Sequence, residues 1–167
     1  VIMAAHRRAI DVLHAGPGDF PVGLTLALLD IQAAEGGESM AVAFRREMSE
    51  IYLEQLRNND FVGVQTYSRM LVGADGFIPP GDDVEKNQMG EEYYPQALFG
   101  TIRHAAEVAG VPIIVTENGL SSTDDSRRLE YFQRALRCVA DNLDSGIDVR
   151  GYFCWSAFDN FEWVSGY

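Results

Sequence analysis

Apolar positions follow two rhythms that alternate along the chain. The first is helical. Ile2, Ala5, Ala9, Val12 and Leu13 fall on one face of a helix predicted over Ile2–Ala15, which Gly16-Pro17-Gly18 stops. Met40–Arg57 repeats the spacing, with Val42, Phe44, Met48, Ile51, Tyr52 and Leu56 as expected core positions and Asn58-Asn59-Asp60 as its end. A third helix spans Tyr94–Ala109 and closes at Gly110. A fourth starts from Asp124 or Asp125 as cap, presents Leu129, Phe132, Leu136, Val139 and Leu143, and ends at Ser145-Gly146. The second rhythm is the short apolar run, at Val22–Leu29, Phe61–Val72, Val111–Gly119 and Val149–Trp155. In the third of these, Ile113, Ile114 and Val115 form an unbroken β-branched run, as in a parallel strand buried on both faces. Pro112 opens that run, where a missing N–H is tolerated, and Asn118-Gly119 is a turn signal that closes it. Ile31–Glu38 and Gly73–Gly90 read as loops, the second long for a compact domain. Strands separated by helices long enough for crossovers predict an α/β protein with a parallel sheet, one domain over residues 1–167.

Composition narrows the function. A chain with 47% hydrophobic and 23% charged residues is an ordinary globular one. No run approaches the roughly 18 apolar residues of a membrane-spanning helix. A net charge of −12 leaves no basic stripe for phosphates, so neither nucleic acid nor an anionic membrane is an expected partner. Cys138 and Cys154, without metal-ligand spacing, suggest buried thiols in a reducing compartment, hence a cytoplasmic location. The first residue is Val1 and not Met, and the expectation is a fragment of a longer chain.

The candidate chemistry gathers at strand ends. Glu117 stands at the carboxyl end of the Ile113–Val115 run, where parallel α/β folds place their reactions. A glutamate that merely tops its strand in a solvated turn is the competing reading. Gly63-Val64-Gln65-Thr66-Tyr67 ends another strand, and Trp155-Ser156-Ala157-Phe158-Asp159-Asn160-Phe161-Glu162-Trp163 follows the last one. Indole faces stack on the C–H face of a pyranose, while carboxylates and amides bind its hydroxyls, so this set suggests a sugar site. Core packing is the commoner use of tryptophan. Here Asp159, Asn160 and Glu162 lie between Trp155 and Trp163, which weakens that alternative.

Thr116-Glu117-Asn118-Gly119 after an Ile/Val run, and Trp155-Ser156-x-x-Asp159-Asn160-Phe161-Glu162-Trp163, resemble two motifs of glycoside hydrolase family 1, the retaining β-glucosidase group. Gly63–Tyr67 is similar to the family's Gly-x-Asn-Tyr-Tyr stretch, and His6-x-x-Ala9 to the helix after its Asn-Glu-Pro motif. The resemblance runs along essentially the whole chain. It implies a (β/α)8 TIM barrel, with this chain supplying about the last four βα units, and a β-glucoside or related small β-glycoside as substrate. It implies no cofactor and no metal. It makes Glu117 the nucleophile and Tyr67 the phenol that orients it. Gln65 would sit near the sugar 2-hydroxyl, Glu162 would accept from the distal hydroxyls, Trp155 would form the platform and Trp163 would donate its indole N–H.

Two departures stand out. The family has Asn where this chain has Gln65, and Tyr where it has Thr66. No Asn-Glu-Pro occurs in the chain, so by resemblance the acid/base lies upstream of Val1. Glu162 is matched to another role, and Glu35 and Glu38 read as solvated loop charges. The isolated chain is therefore expected to be inactive or feeble, and its outer strands, Val22–Leu29 and Val149–Trp155, to favour self-association. A non-catalytic carbohydrate-binding half-barrel is the alternative. A doubly wound nucleotide-binding domain is a third reading, disfavoured by the lack of any Gly-x-Gly-x-x-Gly or Walker sequence after a strand.

Overall fold

The computed structural model describes residues 1–163 and 166. Its centre is a four-stranded sheet of β1 (Gly23–Ala27), β3 (Phe61–Gln65), β6 (Ile113–Asn118) and β7 (Val149–Cys154), in that spatial order. All three pairings are parallel. Each crossover is helical: a helical run from Glu38 to Leu56, then α4 (Ala97–Ala109), then α5 (Asp125–Asp144). Helix α1 (Ile2–His14) precedes β1. Strands follow one another across the sheet in chain order, with no reversal. A doubly wound sheet has a switch point where that order reverses, so the nucleotide-binding reading is excluded. Steady progression in one direction is the wall of a barrel.

The helix-facing side of the sheet is the core. Val62, Val64, Ile113 and Val115 are fully buried there against Leu98, Ile102, Ala105 and Tyr131. Helix α4 ends as expected at Gly110, whose φ of 67° is the left-handed cap conformation.

The Phe61–Val72 run is not one strand. Thr66 leaves the sheet, its hydroxyl donating to the Leu28 carbonyl at 2.6 Å, and Ser68 donates to the Glu92 carbonyl at 2.7 Å. The chain then enters a second sheet of β2 (Asp30–Ala33), β4 (Arg69–Gly73) and β5 (Gly76–Ile78), ordered as numbered. Strands β2 and β5 lie in stretches expected to be loops. Both are short and leave little periodicity to read: β2 pairs with the distant β4, and β5 folds straight back on β4 in a tight hairpin.

Two helical faces also differ from expectation. Between α2 (Glu38–Arg45) and α3 (Ile51–Leu53) lies a π-helical turn, Arg46–Glu50, and Glu54–Leu56 ends the run as a 3-10 turn. The residue inserted by a π turn rotates everything after it by about 100°. Ala41, Ser49, Leu53 and Leu56 are buried, whereas Val42 and Met48 face out. In α5 the buried positions are Tyr131, Ala135, Cys138 and Asn142, and Leu129, Leu136 and Leu143 are exposed. That core face includes a phenol and an amide, which apolar spacing alone passes over. Cys138 is buried but Cys154, expected to be so, is exposed at the end of β7. The sequence after β7 reads as an aromatic, acidic loop over 156–167, of which residues 164, 165 and 167 lie outside the described residues. Among the described residues no helix is long and apolar enough to cross a membrane.

Candidate active site

Strict alternation along β6 would turn Glu117 to the same side as Ile113 and Val115, into the helix layer. A register shift prevents this. Val64 pairs with Val115 but Gln65 pairs with Glu117, leaving Thr116 as the extra residue of a bulge. Bulges re-aim the side chains that follow them. Here Glu117 is turned away from the apolar layer, toward Gln65 and Tyr67, and Asn118 takes the buried side instead.

The two Glu117 oxygens have separate partners. Gln65 Nε2 donates to Oε1 in a short hydrogen bond, and Tyr67 Oη donates to Oε2 at 2.6 Å. Both donors are neutral, so the carboxylate is oriented without being paired to a cation. Burial pushes the Tyr67 phenol far above its usual range, and the hydrogen bond and charge of Glu117 push it the same way. Tyr67 therefore remains a donor wherever Glu117 is ionised. The charge of Glu162 acts on the same phenol, which places that carboxylate within electrostatic reach of the pair.

The third group comes from the end of β7. Asn118 O accepts the Trp155 N–H at 2.8 Å, and Gly119 packs against the Trp155 backbone so closely that a Cβ would overlap its carbonyl oxygen. The glycine of the motif thus brings Trp155 beside the Glu117 strand end. The Trp155–Ser156 peptide is cis. Trp155 is 40% exposed and Trp163 95%. Glu162 Oε1 accepts from Asn160 Nδ2 at 2.7 Å. So the structure joins Glu117, Tyr67 and Gln65 by direct contact, with Trp155 and Glu162 near them, whereas Trp163 projects outward. Glu35 and Glu38 are exposed, as expected for loop charges.

Sequence reasoning missed a supporting layer. In the sequence Asn118-Gly119 reads only as a turn signal, and apolar spacing marks neither Tyr131 nor Tyr152. Asn118 is fully buried and bonds to both tyrosines. The available signal was a tyrosine at the start of the 131, 135, 138, 142 spacing. Arg69 was also passed over. Its guanidinium forms a two-pronged pair with Glu92, at 2.8 Å on each side, and donates to Gln32 at 2.9 Å. It also stacks 4.1 Å over the Tyr94 ring. These contacts fix the start of β4, two residues past Tyr67. Asp30 hydrogen-bonds to Gln32 nearby, and burial raises its carboxyl above the usual range. No His, Cys, Asp or Glu group among the described residues is arranged to hold a metal ion.

Comparison with known proteins gives the geometry a family. The chain is 32% identical over 139 residues to beta-glucosidase A of Thermotoga maritima, covering 74% of this chain and 30% of that protein. It is 32% identical over 135 residues to a beta-galactosidase of Pyrococcus woesei, covering 67% of the chain and 26% of the relative. Among solved structures, beta-glycosidase BGL167 superposes with a TM-score of 0.93 at 53% identity, and beta-glucosidase 1317 with 0.91 at 40%. In both cases 99% of this chain matches 40% of the other, so the chain spans about two fifths of the solved relatives. The fold is thus part of an α/β TIM barrel. The family model described as glycosyl hydrolase family 1 matches residues 40–167, and the chain belongs to that family.

Proposed function

We propose that this chain carries the nucleophile half of a retaining β-glycosidase acting on β-glucosides or closely related β-glycosides. The observation that supports this best is the holding of Glu117, with one oxygen on Gln65 and the other on Tyr67, at the carboxyl end of a barrel strand. A carboxylate held at both oxygens by neutral donors is fixed in direction without being tied up in an ion pair, as a nucleophile needs to be. In the proposed reaction a Glu117 oxygen bonds to the anomeric carbon as the bond to the aglycone oxygen breaks. A second carboxylic acid gives that leaving oxygen a proton. The glycosyl ester on Glu117 is then cleaved by water, which the second carboxylate deprotonates, and configuration is retained overall. The two carboxyl groups of such a pair stand about 5–5.5 Å apart.

The second carboxylic acid is assigned to the part of the barrel that this chain does not span. Glu162, bonded to Asn160, is assigned instead to the sugar hydroxyls. That its relatives include both a beta-glucosidase and a beta-galactosidase favours a site tolerant at the distal hydroxyls. Without its acid partner the chain alone lacks a contribution of roughly 10²–10⁴-fold, and turnover by it should be negligible.

The test uses a barrel completed by joining the chain to the amino-terminal part of a solved relative. Glu117→Ala should abolish hydrolysis of an aryl β-glucoside, and added azide should restore reaction with α-glucosyl azide as product. Full activity in the variant would remove Glu117 from its role. A β-azide would put the carboxylate on the wrong face of the sugar. If the unmutated completed barrel bound sugar without turning it over, the non-catalytic carbohydrate-binding alternative would stand.

A further inference from the structure

The bulge that presents Glu117 is held by a buried polar layer that none of the roles assigned above uses. Asn118 is fully buried and every polar atom of its amide is engaged. Its Nδ2 donates to the Thr66 carbonyl at 2.6 Å and to Tyr131 Oη at 3.1 Å. Its Oδ1 accepts from Tyr152 Oη at 2.8 Å. Tyr131 Oη in turn donates to the Tyr67 carbonyl at 2.8 Å. Side chains from β6 and α5 thus converge on the backbone of Thr66 and Tyr67, just where the chain leaves β3, and Tyr152 of β7 holds the Asn118 amide from its other side.

These bonds close a ring. From the Glu117 carboxylate the path runs to the Tyr67 phenol, through Tyr67 to its own carbonyl, to Tyr131, to Asn118, and back along β6 to Glu117. The ring ties the two β6 residues that follow the bulge, Glu117 and Asn118, to the chain just past β3. Movement of Glu117 toward the helix layer would require Asn118 to leave its three partners, of which Thr66 and Tyr131 are buried with it and Tyr152 is partly buried. Buried amides and phenols that lose their partners are costly, so the bulged register is strongly preferred. Burial also keeps both phenols protonated far past neutrality, so they act as donors throughout the working range.

We infer that Tyr131 and Tyr152 are positioning residues for Glu117, acting through Asn118 to lock the bulge that turns the carboxylate toward the sugar. The inference rests on the reading of Glu117 as nucleophile. Neither phenol is assigned contact with the sugar, so substrate affinity should be spared and the attack step slowed.

The experiment uses the completed barrel with 2,4-dinitrophenyl β-glucoside, whose leaving group departs without protonation, so that single-turnover release reports attack by Glu117. Four variants are compared with the parent: Tyr131→Phe, Tyr152→Phe, Ile102→Val as a core change away from the ring, and Glu117→Ala. Tyr131→Phe should slow attack roughly 10-fold, and Tyr152→Phe by about threefold, with KM within about twofold of the parent. Ile102→Val should lower Tm and leave the attack rate unchanged. Parent-like attack in both tyrosine variants would overturn the inference. So would losses of rate that simply track Tm across all three packing variants, because that is the behaviour of a structural role. Should Tyr131→Phe not fold, Tyr152→Phe alone decides, since it removes one hydroxyl at the outer end of the layer. Parent-like attack in Glu117→Ala would defeat the nucleophile reading itself, a separate outcome.

Discussion

Replacing Tyr67 by Phe removes one hydroxyl from the candidate site and leaves the ring in place. Its Oη lies 2.6 Å from Glu117 Oε2, a short bond to a charged acceptor. Such bonds contribute about 1.5–3 kcal/mol net. At 1.36 kcal/mol per factor of ten, the full loss would slow attack about 10- to 100-fold. Some of that is recovered if water takes the vacated position, since Tyr67 is only partly buried. A loss nearer the lower bound is therefore expected, and Gln65 still holds Oε1. The assay is single-turnover aglycone release by the completed barrel with an activated aryl β-glucoside, in which attack is observed apart from deglycosylation. KM should change little, because the phenol is assigned to the carboxylate and not to the sugar. An unchanged attack rate would show that Tyr67 is packing at a strand end. A rise in KM with constant kcat would make it a sugar ligand instead.

Other expectations follow from the same contacts. Gly119→Ala places a methyl against the Trp155 carbonyl and should cost about 1–3 kcal/mol, read as a lower urea midpoint; an unchanged midpoint would deny the close approach. Burial holds the His104 imidazole below its usual 6.5, so the unfolded chain takes up protons first on acidification, and stability falls as pH drops below about 6.5. His104→Gln should flatten that part of the Tm-versus-pH curve, and an identical curve would dismiss the assignment. Two unit charges 4 Å apart interact by about 4 kcal/mol at an effective dielectric of 20, so Glu162 should strongly disfavour a 6-phosphate on the sugar. No Lys or Arg lies between Trp155 and Tyr167 to offset that charge. Paired assays on an aryl β-glucoside and its 6-phosphate check this, and equal use of the two would contradict it.

Much of the fold was legible because it is local. The β-branched run at Ile113–Val115, the helices between strands and the Gly110 cap all appear where spacing and turn residues put them. What was hidden depends on contacts between distant segments. Strand β2 pairs with β4 across the α2–α3 run, and no periodicity of four residues announces that. The π turn at Arg46–Glu50 rotates a helical face that a constant spacing cannot follow. In the site, Glu117, Tyr67 and Gln65 were visible as residue types at strand ends. The bulge at Thr116 was not, though without it alternation would turn Glu117 into the apolar layer. Asn118 shows the same limit: Asn-Gly reads as a turn, whereas the amide holds together β6, α5, β7 and the end of β3.

The central claim is that Glu117 forms the covalent bond to the sugar. It is tested most directly by treating the completed barrel with 2,4-dinitrophenyl 2-deoxy-2-fluoro-β-glucoside, followed by proteolysis and mass spectrometry. The 2-fluorine withdraws charge from the developing cation and slows both steps, while the good leaving group lets the first proceed, so the glycosyl ester accumulates. The peptide containing Thr116-Glu117-Asn118-Gly119 should carry the fluoroglucosyl mass on Glu117, and Glu117→Ala should remain unlabelled. Labelling of Glu162 or another carboxylate, or inactivation with no sugar attached to any peptide, would contradict the account.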